Sequence, residues 1–296
     1  MEIIVEIGND NEKLLIQQEI EFFVSIFEDF QPPLNIDKII VPLDFADKVN
    51  ELEDRTDYTG KHGASGSEVG VAGKNILIGK NRIILLSPLL YTAMFDDMVR
   101  GFILIHEIVH VFNAQRFPKT PDSPFTLQNY LGNLFYFYDE YFSDRLAYKF
   151  IERVFKEPSE LWNNFIQDSV ENYLAISNDA TYYDQISQAI NSFRDHADVE
   201  NFLKQIHASL SVTSIATVHA FARHHHIQEE MKNFVIPLSK FVNQKTINLM
   251  DYFKRKYEER STDLMDGLNF IAEYFTNYGI RFEDHPEGNY VRVLDI

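Results

Sequence analysis

Residues 3 to 7 alternate between apolar and polar positions, which predicts a short strand, and the period then changes. Leu15, Ile16, Ile20, Phe23 and Ile26 recur at spacings of three and four and define one face of a helix over 12–29. Lys38 to Leu43 reads as a second strand, and Asp44 to Leu52 as a short amphipathic helix opened by an aspartate cap. Six of the twelve glycines (Gly60, Gly63, Gly66, Gly70, Gly73 and Gly79) then fall within twenty residues. Such a tract permits turns and positive φ. It reads as a loop joining strands, or more sharply as a flap beside a site. Asn75 to Ile78 and Arg82 to Leu86 flank Gly79-Lys80-Asn81, a hairpin signal.

From Thr92 the pattern becomes helical and amphipathic, through Phe95, Met98, Val99, Phe102, Ile105, Ile108, Val109 and Phe112 to about Arg116, where Pro118, Pro121 and Pro124 end it. Helical periodicity then covers roughly 125–155, 158–177, 180–195, 198–226, 228–243, 245–257 and 261–277. Ile280, Phe282, Tyr290, Val291 and Val293 around Pro286-Glu287-Gly288 predict a closing hairpin. The expected fold is therefore α+β: a small N-terminal lobe of mixed sheet and helix (1–117), a mainly helical lobe (118–278) and a C-terminal β-hairpin tail (279–296). A functional site is expected in the cleft between the two lobes.

Charge narrows the function. With 27 Lys+Arg against 45 Asp+Glu the formal net charge is −18, and the basic residues are scattered, so the footprint of a nucleic-acid binder is missing. The central apolar stretch is interrupted by two histidines and a glutamate, far short of the ~18 unbroken apolar residues of a spanning helix. The N-terminus carries acids where a signal peptide carries bases, so a cytoplasmic protein without an integral membrane segment is expected. With no cysteine in the chain, any metal must be held by His, Asp or Glu.

One motif carries chemistry. His106-Glu107-Ile108-Val109-His110 has the form His-Glu-x-x-His, which on a helix places both imidazoles one turn apart on one face, able to share a zinc ion. A catalytic zinc needs a third protein ligand. Glu140 and Asp144 are four apart on the long helix expected over 125–155, so one carboxylate can bind zinc while the other accepts the free N–H of a ligand histidine; Asp139 is the fallback. A donor for a developing oxyanion is sought on the helix of His219, Arg223, His224, His225 and His226. His219, Arg223 and His226 can share a face, whereas His224 and His225 read as solvated. Tyr136, Tyr138, Tyr141 and Tyr148 are alternative donors, and Phe135, Phe137 and Phe142 read as core.

His-Glu-x-x-His followed on a later helix by Glu-x-x-Ser-Asp resembles the gluzincin metallopeptidases, the group of thermolysin and the minigluzincins. The resemblance covers residues 75–148. It implies a zinc-dependent peptidase with one zinc per chain, His106, His110 and Glu140 as ligands, Glu107 as general base and acid, and Asp144 orienting a ligand histidine. It also implies that a strand before the motif helix, Arg82-Ile83-Ile84-Leu85-Leu86 or else Asn75 to Ile78, pairs with an extended peptide or protein substrate. Glu140 to Ala147 is in addition similar to the Glu-x-x-Ala-Asn-x-x-Ala helix of ImmA/IrrE-type regulatory proteases, with Ser143 and Asp144 departing from it. Two other readings stay open: a narrow regulatory protease that cleaves a single cytoplasmic partner, and a non-catalytic partner-binding protein with a structural zinc.

Overall fold

The computed structural model describes residues 1–29, 34–59, 61–62, 69–70, 72–92, 95–116, 130–155, 159–230, 239, 242–285 and 288–294. β1 (Glu2–Val5) leads into α1 (Asp10–Glu28), whose start is fixed by a reciprocal cap. The Asn9 side chain accepts from the N–H groups of Asn11 and Glu12, and the Glu12 carboxylate accepts from Asn9 N–H at 2.7 Å. β2 (Lys38–Val41) precedes α2 (Phe45–Glu53), where Asp44 accepts from Asp47 N–H as an N-cap should. Two-residue strands β3 (Lys61–His62) and β4 (Val69–Gly70) pair antiparallel. β5 (Gly73–Ile78) and β6 (Asn81–Leu86) form the expected hairpin, turning through Gly79 at φ 62°, a conformation that costs a residue without Cβ little. The flap reading of the glycine tract falls mostly outside the described residues.

Four strands make one mixed sheet in the order β1-β2-β6-β5, with β1, β2 and β6 parallel and β5 antiparallel at the edge. Ile40, Ile83 and Leu85 are buried on one face and Ile39, Ile84 and Leu86 on the other. Burial on both faces explains why these segments read as unbroken apolar runs rather than alternations. Phe45 and Val49 of α2 cover the first face, to which Ile76 of β5 also belongs. The expectation that Arg82 to Leu86 borders a substrate needs correction, because β6 lies between β2 and β5 and its backbone groups serve both neighbours. The open edge on that side, among the described residues, belongs to β5.

Beyond the sheet come α3 (Leu89–Thr92), α4 (Asp97–Arg116), α5 (Tyr130–Val154), α6 (Glu160–Ser177), α7 (Ala180–His196), α8 (Val199–Glu230), α9 (Gln244–Glu258) and α10 (Leu268–Thr276), then the hairpin of β7 (Ile280–His285) and β8 (Gly288–Val293). The proline cluster expected to end α4 lies outside the described residues. α8 continues through the break expected after residue 226, and most of the helix expected over 228–243 is also outside them. The helix expected from 261 starts late. Side chains of Ser261 and Asp263 accept from the N–H groups of Asp263 and Met265, a local turn that competes with helix until a 3-10 turn at Met265–Gly267. No described helix is long and apolar enough to cross a membrane.

The chain divides into two compact units, one drawn from residues 1–62, 68–116 and 143–166, the other from 117–142 and 167–296. This differs from a boundary at 117/118, because the second half of α5 and the start of α6 join the sheet-bearing unit. In that unit α1 packs on α4 through Ile20, Phe23, Val24 and Phe27, and Arg100 donates to both carboxylate oxygens of Glu19 at 2.8 and 2.9 Å. The contact is tight at Gly101, in the second turn of α4. A Cβ built there would lie 2.3 Å from Phe23 Cζ and 3.0 Å from Ile151 Cδ1. Gly101→Ala gains about 0.5–1 kcal/mol of helix preference but must displace a fully buried ring, an overpacking that costs roughly 1–3 kcal/mol. A net loss of stability is expected in urea unfolding; a more stable variant would show that the α1–α4 contact yields easily.

Candidate metal centre

α4 is covered on nearly every side rather than along a single stripe: Phe102, Leu104, Ile105, Ile108, Val109, Val111 and Phe112 are all buried. Phe102 sits in an aromatic cluster with Tyr148 (ring centroids 4.4 Å), Trp162 and Phe165. The least covered line along the middle of the helix carries Ile103, His106 and His110. Helical spacing therefore puts both imidazoles on the one accessible strip of a rigid, packed element.

α5 fixes how these rings point. Glu140, Ser143 and Asp144 occupy positions i, i+3 and i+4 and so share a face. Asp144 Oδ1 lies 2.9 Å from His106 Nδ1, and Ser143 Oγ lies 3.3 Å from His110 Nδ1. The Asp144 side chain is only 1% exposed. With each Nδ1 engaged, both Nε2 atoms turn to the same point and stand 2.9 Å apart. His106, His110 and Glu140 each offer one ligand atom, all within 4.8 Å of one another. Among the described residues this is the only such group, and Asp139 is not in it. Two imidazole nitrogens and a carboxylate suit zinc, and Zn–N bonds of about 2.0–2.1 Å span such a gap; the donor set fits a divalent metal. Sequence reasoning paired Asp144 with a histidine but gave Ser143 no role; its adjacency to Asp144 on the ligand face was the available signal.

Glu107 lies between the histidines and is buried. Its neighbour is unexpected: a Cβ built on Gly73 would fall 2.7 Å from both Cγ and Oε1 of Glu107. Gly73 begins the open edge strand β5, so the missing side chain is what lets that strand come against the carboxylate. The sequence showed Gly73 only as one glycine among several.

On α8, His219 Nε2 lies 3.6 Å from Glu140 Oε2. His219 also packs on Tyr173 (centroids 5.0 Å), over whose ring the Arg223 guanidinium sits at 4.6 Å. His224 and His225, read as solvated, are buried instead. His225 Nδ1 pairs with the Tyr141 hydroxyl at 2.7 Å, and Tyr138 donates to the Ser261 carbonyl at 3.2 Å, so the hydroxyls of these two candidate tyrosines are already engaged. Phe135, Phe137 and Phe142 are core, as expected.

Fold and site together define an α+β chain, mainly helical, with a His-His-Glu donor set on two helices. No protein family, curated protein or solved structure matches it.

Two outcomes follow from this geometry. Asp144→Ala should weaken zinc affinity by roughly 10 to 100-fold while the chain stays folded, because it removes the group that orients His106; an unchanged dissociation constant would reduce Asp144 to a packing residue. His224 is pushed down from 6.5 to about 4 by burial and by the charge of Lys254. The unfolded chain then takes up a proton that the folded one refuses, so stability falls as pH drops from about 6.5 towards 4. Urea midpoints across that window should fall less in His224→Gln than in wild type, and parallel curves would exclude His224 as a cause.

Proposed function

We propose that the protein is a zinc-dependent peptidase, with one zinc ion held by His106, His110 and Glu140. The observation that carries this reading is the convergence of the two Nε2 atoms, 2.9 Å apart, with a carboxylate in reach. Bound there, zinc would supply Lewis-acid polarisation of a carbonyl and lower the pKa of a water molecule towards ~7. The remaining roles fall to the chain itself. Glu107 takes a proton from the attacking water and hands it to the leaving amine, acting first as base and then as acid. Asp144 and Ser143 hold the imidazoles of His106 and His110 through Nδ1, which keeps Nε2 free as the metal-facing atom. His219, against Glu140, and Arg223 are the candidates to donate to the developing oxyanion.

The edge of β5, open among the described residues, supports a peptide as the substrate class. An edge strand offers unpaired N–H and C=O groups that an extended peptide matches with its own. At Gly73 that edge runs directly against Glu107, so a peptide paired along β5 would bring its backbone to the base.

The test separates the two glutamates. Purified chain should carry about one zinc. Glu107→Gln should retain the metal while cleavage of a peptide library falls by at least ~10²-fold. Glu140→Gln, which replaces an anionic ligand by a weaker neutral donor, should lose zinc first and regain some turnover in excess zinc. Zinc binding without cleavage in wild type would favour a partner-binding protein with a structural zinc, and no zinc uptake at all would remove the site.

A further inference from the structure

β5 pairs with β6 without a break from Gly73↔Leu86 to Ile78↔Asn81, and its other edge is open among the described residues. Side chains alternate along such a strand. Lys74, Ile76 and Ile78 share one face, where Ile76 joins the cluster of Phe45 and Val49. Gly73, Asn75 and Leu77 share the other, the face on which Gly73 meets Glu107. A peptide aligned on this edge therefore runs from the carboxylate past Asn75 to Leu77.

Leu77 is 57% exposed, and its neighbour Ile78 is 38% exposed. A lone exposed leucine is ordinary, but two adjacent apolar residues on an open strand edge are not. Natural edge strands are blunted by charges, above all lysine, or by proline. β5 has no proline and a single charge, Lys74, which lies on the opposite face from Leu77 and is paired with Glu53 of α2 at 2.8 Å. The apolar end of the edge is left accessible, without the charge that would discourage pairing, on the same strand and face as the proposed base. A net charge of −18 opposes a second copy of the chain at this edge, whereas a neutral or basic peptide meets no such repulsion.

We propose that Leu77 is a specificity-determining residue, the wall of an apolar subsite for an extended peptide paired along β5. The residue it takes is aliphatic or aromatic and stands about four positions from the one opposite Gly73, a separation of roughly 13 Å. This rests on the peptidase reading. An apolar side chain laid against Leu77 removes the surface of both from water. Glycine leaves Leu77 wet, and an acid there gives up its own hydration.

The test uses the full, zinc-loaded chain and a peptide that it cleaves, rebuilt with Leu, Gly or Asp in turn at each position away from the scissile bond. At one position about four residues out, Leu should raise kcat/KM about 10-fold over Gly, with Asp no better than Gly. Leu77→Ser should bring the Leu-to-Gly ratio close to about 1, and Leu77→Met should keep most of it. Zinc content and melting temperature should hold in both variants, because the side chain is exposed. In the Glu107→Gln background, fluorescence anisotropy of the labelled Leu-bearing peptide should show about 10-fold weaker binding when Leu77→Ser is added. A wild type indifferent to every distal position, or a preference that survives in Leu77→Ser, would overturn the assignment while leaving the peptidase intact. Sedimentation showing a dimer that Leu77→Ser disrupts would overturn it too, since a second copy would then occupy the edge. A wild-type chain that neither takes up zinc nor cleaves any peptide would instead defeat the peptidase reading, and the Leu77 subsite with it.

Discussion

The geometry of the candidate centre depends on one contact, the buried carboxylate of Asp144 against His106 Nδ1. An imidazole on a helix can rotate about two bonds, and two such rings a turn apart have no intrinsic reason to aim at one point. A nearly unexposed carboxylate gives the His106 ring a reason, since its charge is satisfied best when Nδ1–H faces it. Ser143 does the same for His110 from the adjacent position on α5. The orientation of both rings is thus imposed from outside α4, by residues whose helical spacing from Glu140 also brings a third donor into range.

That arrangement is useful only if α4 and α5 are held firmly, and the aromatic content provides the means. Phe102, Tyr148, Trp162 and Phe165 lock the sheet-bearing unit around the two helices, while Tyr141, Phe253, Tyr257 and His225 tie the first half of α5 to α8 and α9 in the other unit. Packing of this kind holds the side chains within each unit in place. The polar groups of α8 share in it: Thr217 donates to Ser177 Oγ, and the Tyr274 hydroxyl donates to Ser214 Oγ at 3.1 Å, so the buried hydroxyls of this helix are tied to α6 and α10.

The edge of the sheet sets the second condition. β5 is antiparallel to β6 and, among the described residues, unpaired on its other side, and glycine at its first position removes the one side chain that would have kept Glu107 away. In the proposed function, the strand that aligns a substrate and the carboxylate that moves its proton are therefore adjacent for a steric reason.

Local periodicity alone determined most of the elements. The N-cap at Asp44, the Gly79 hairpin, the start of α7 after Asp179 and the closing hairpin of β7 and β8 depend on neighbours a few residues away, which is why the sequence displays them. His106, Glu107 and His110 were legible for the same reason, as their common face follows from 3.6 residues per turn. What the tertiary structure decided involves residues far apart in the chain. Strand order placed β6 inside the sheet and β5 at its edge, a matter of which segments pair across long separations. Close approach made Gly73 and Gly101 significant, whereas a glycine alone announces only permissiveness. Burial of His224 and His225 came from elements packed over α8 on a side where short-range polarity suggested solvent. Ser143 gained its place because a histidine thirty-three residues earlier points Nδ1 towards it, and no local pattern encodes the direction of a ring on another helix.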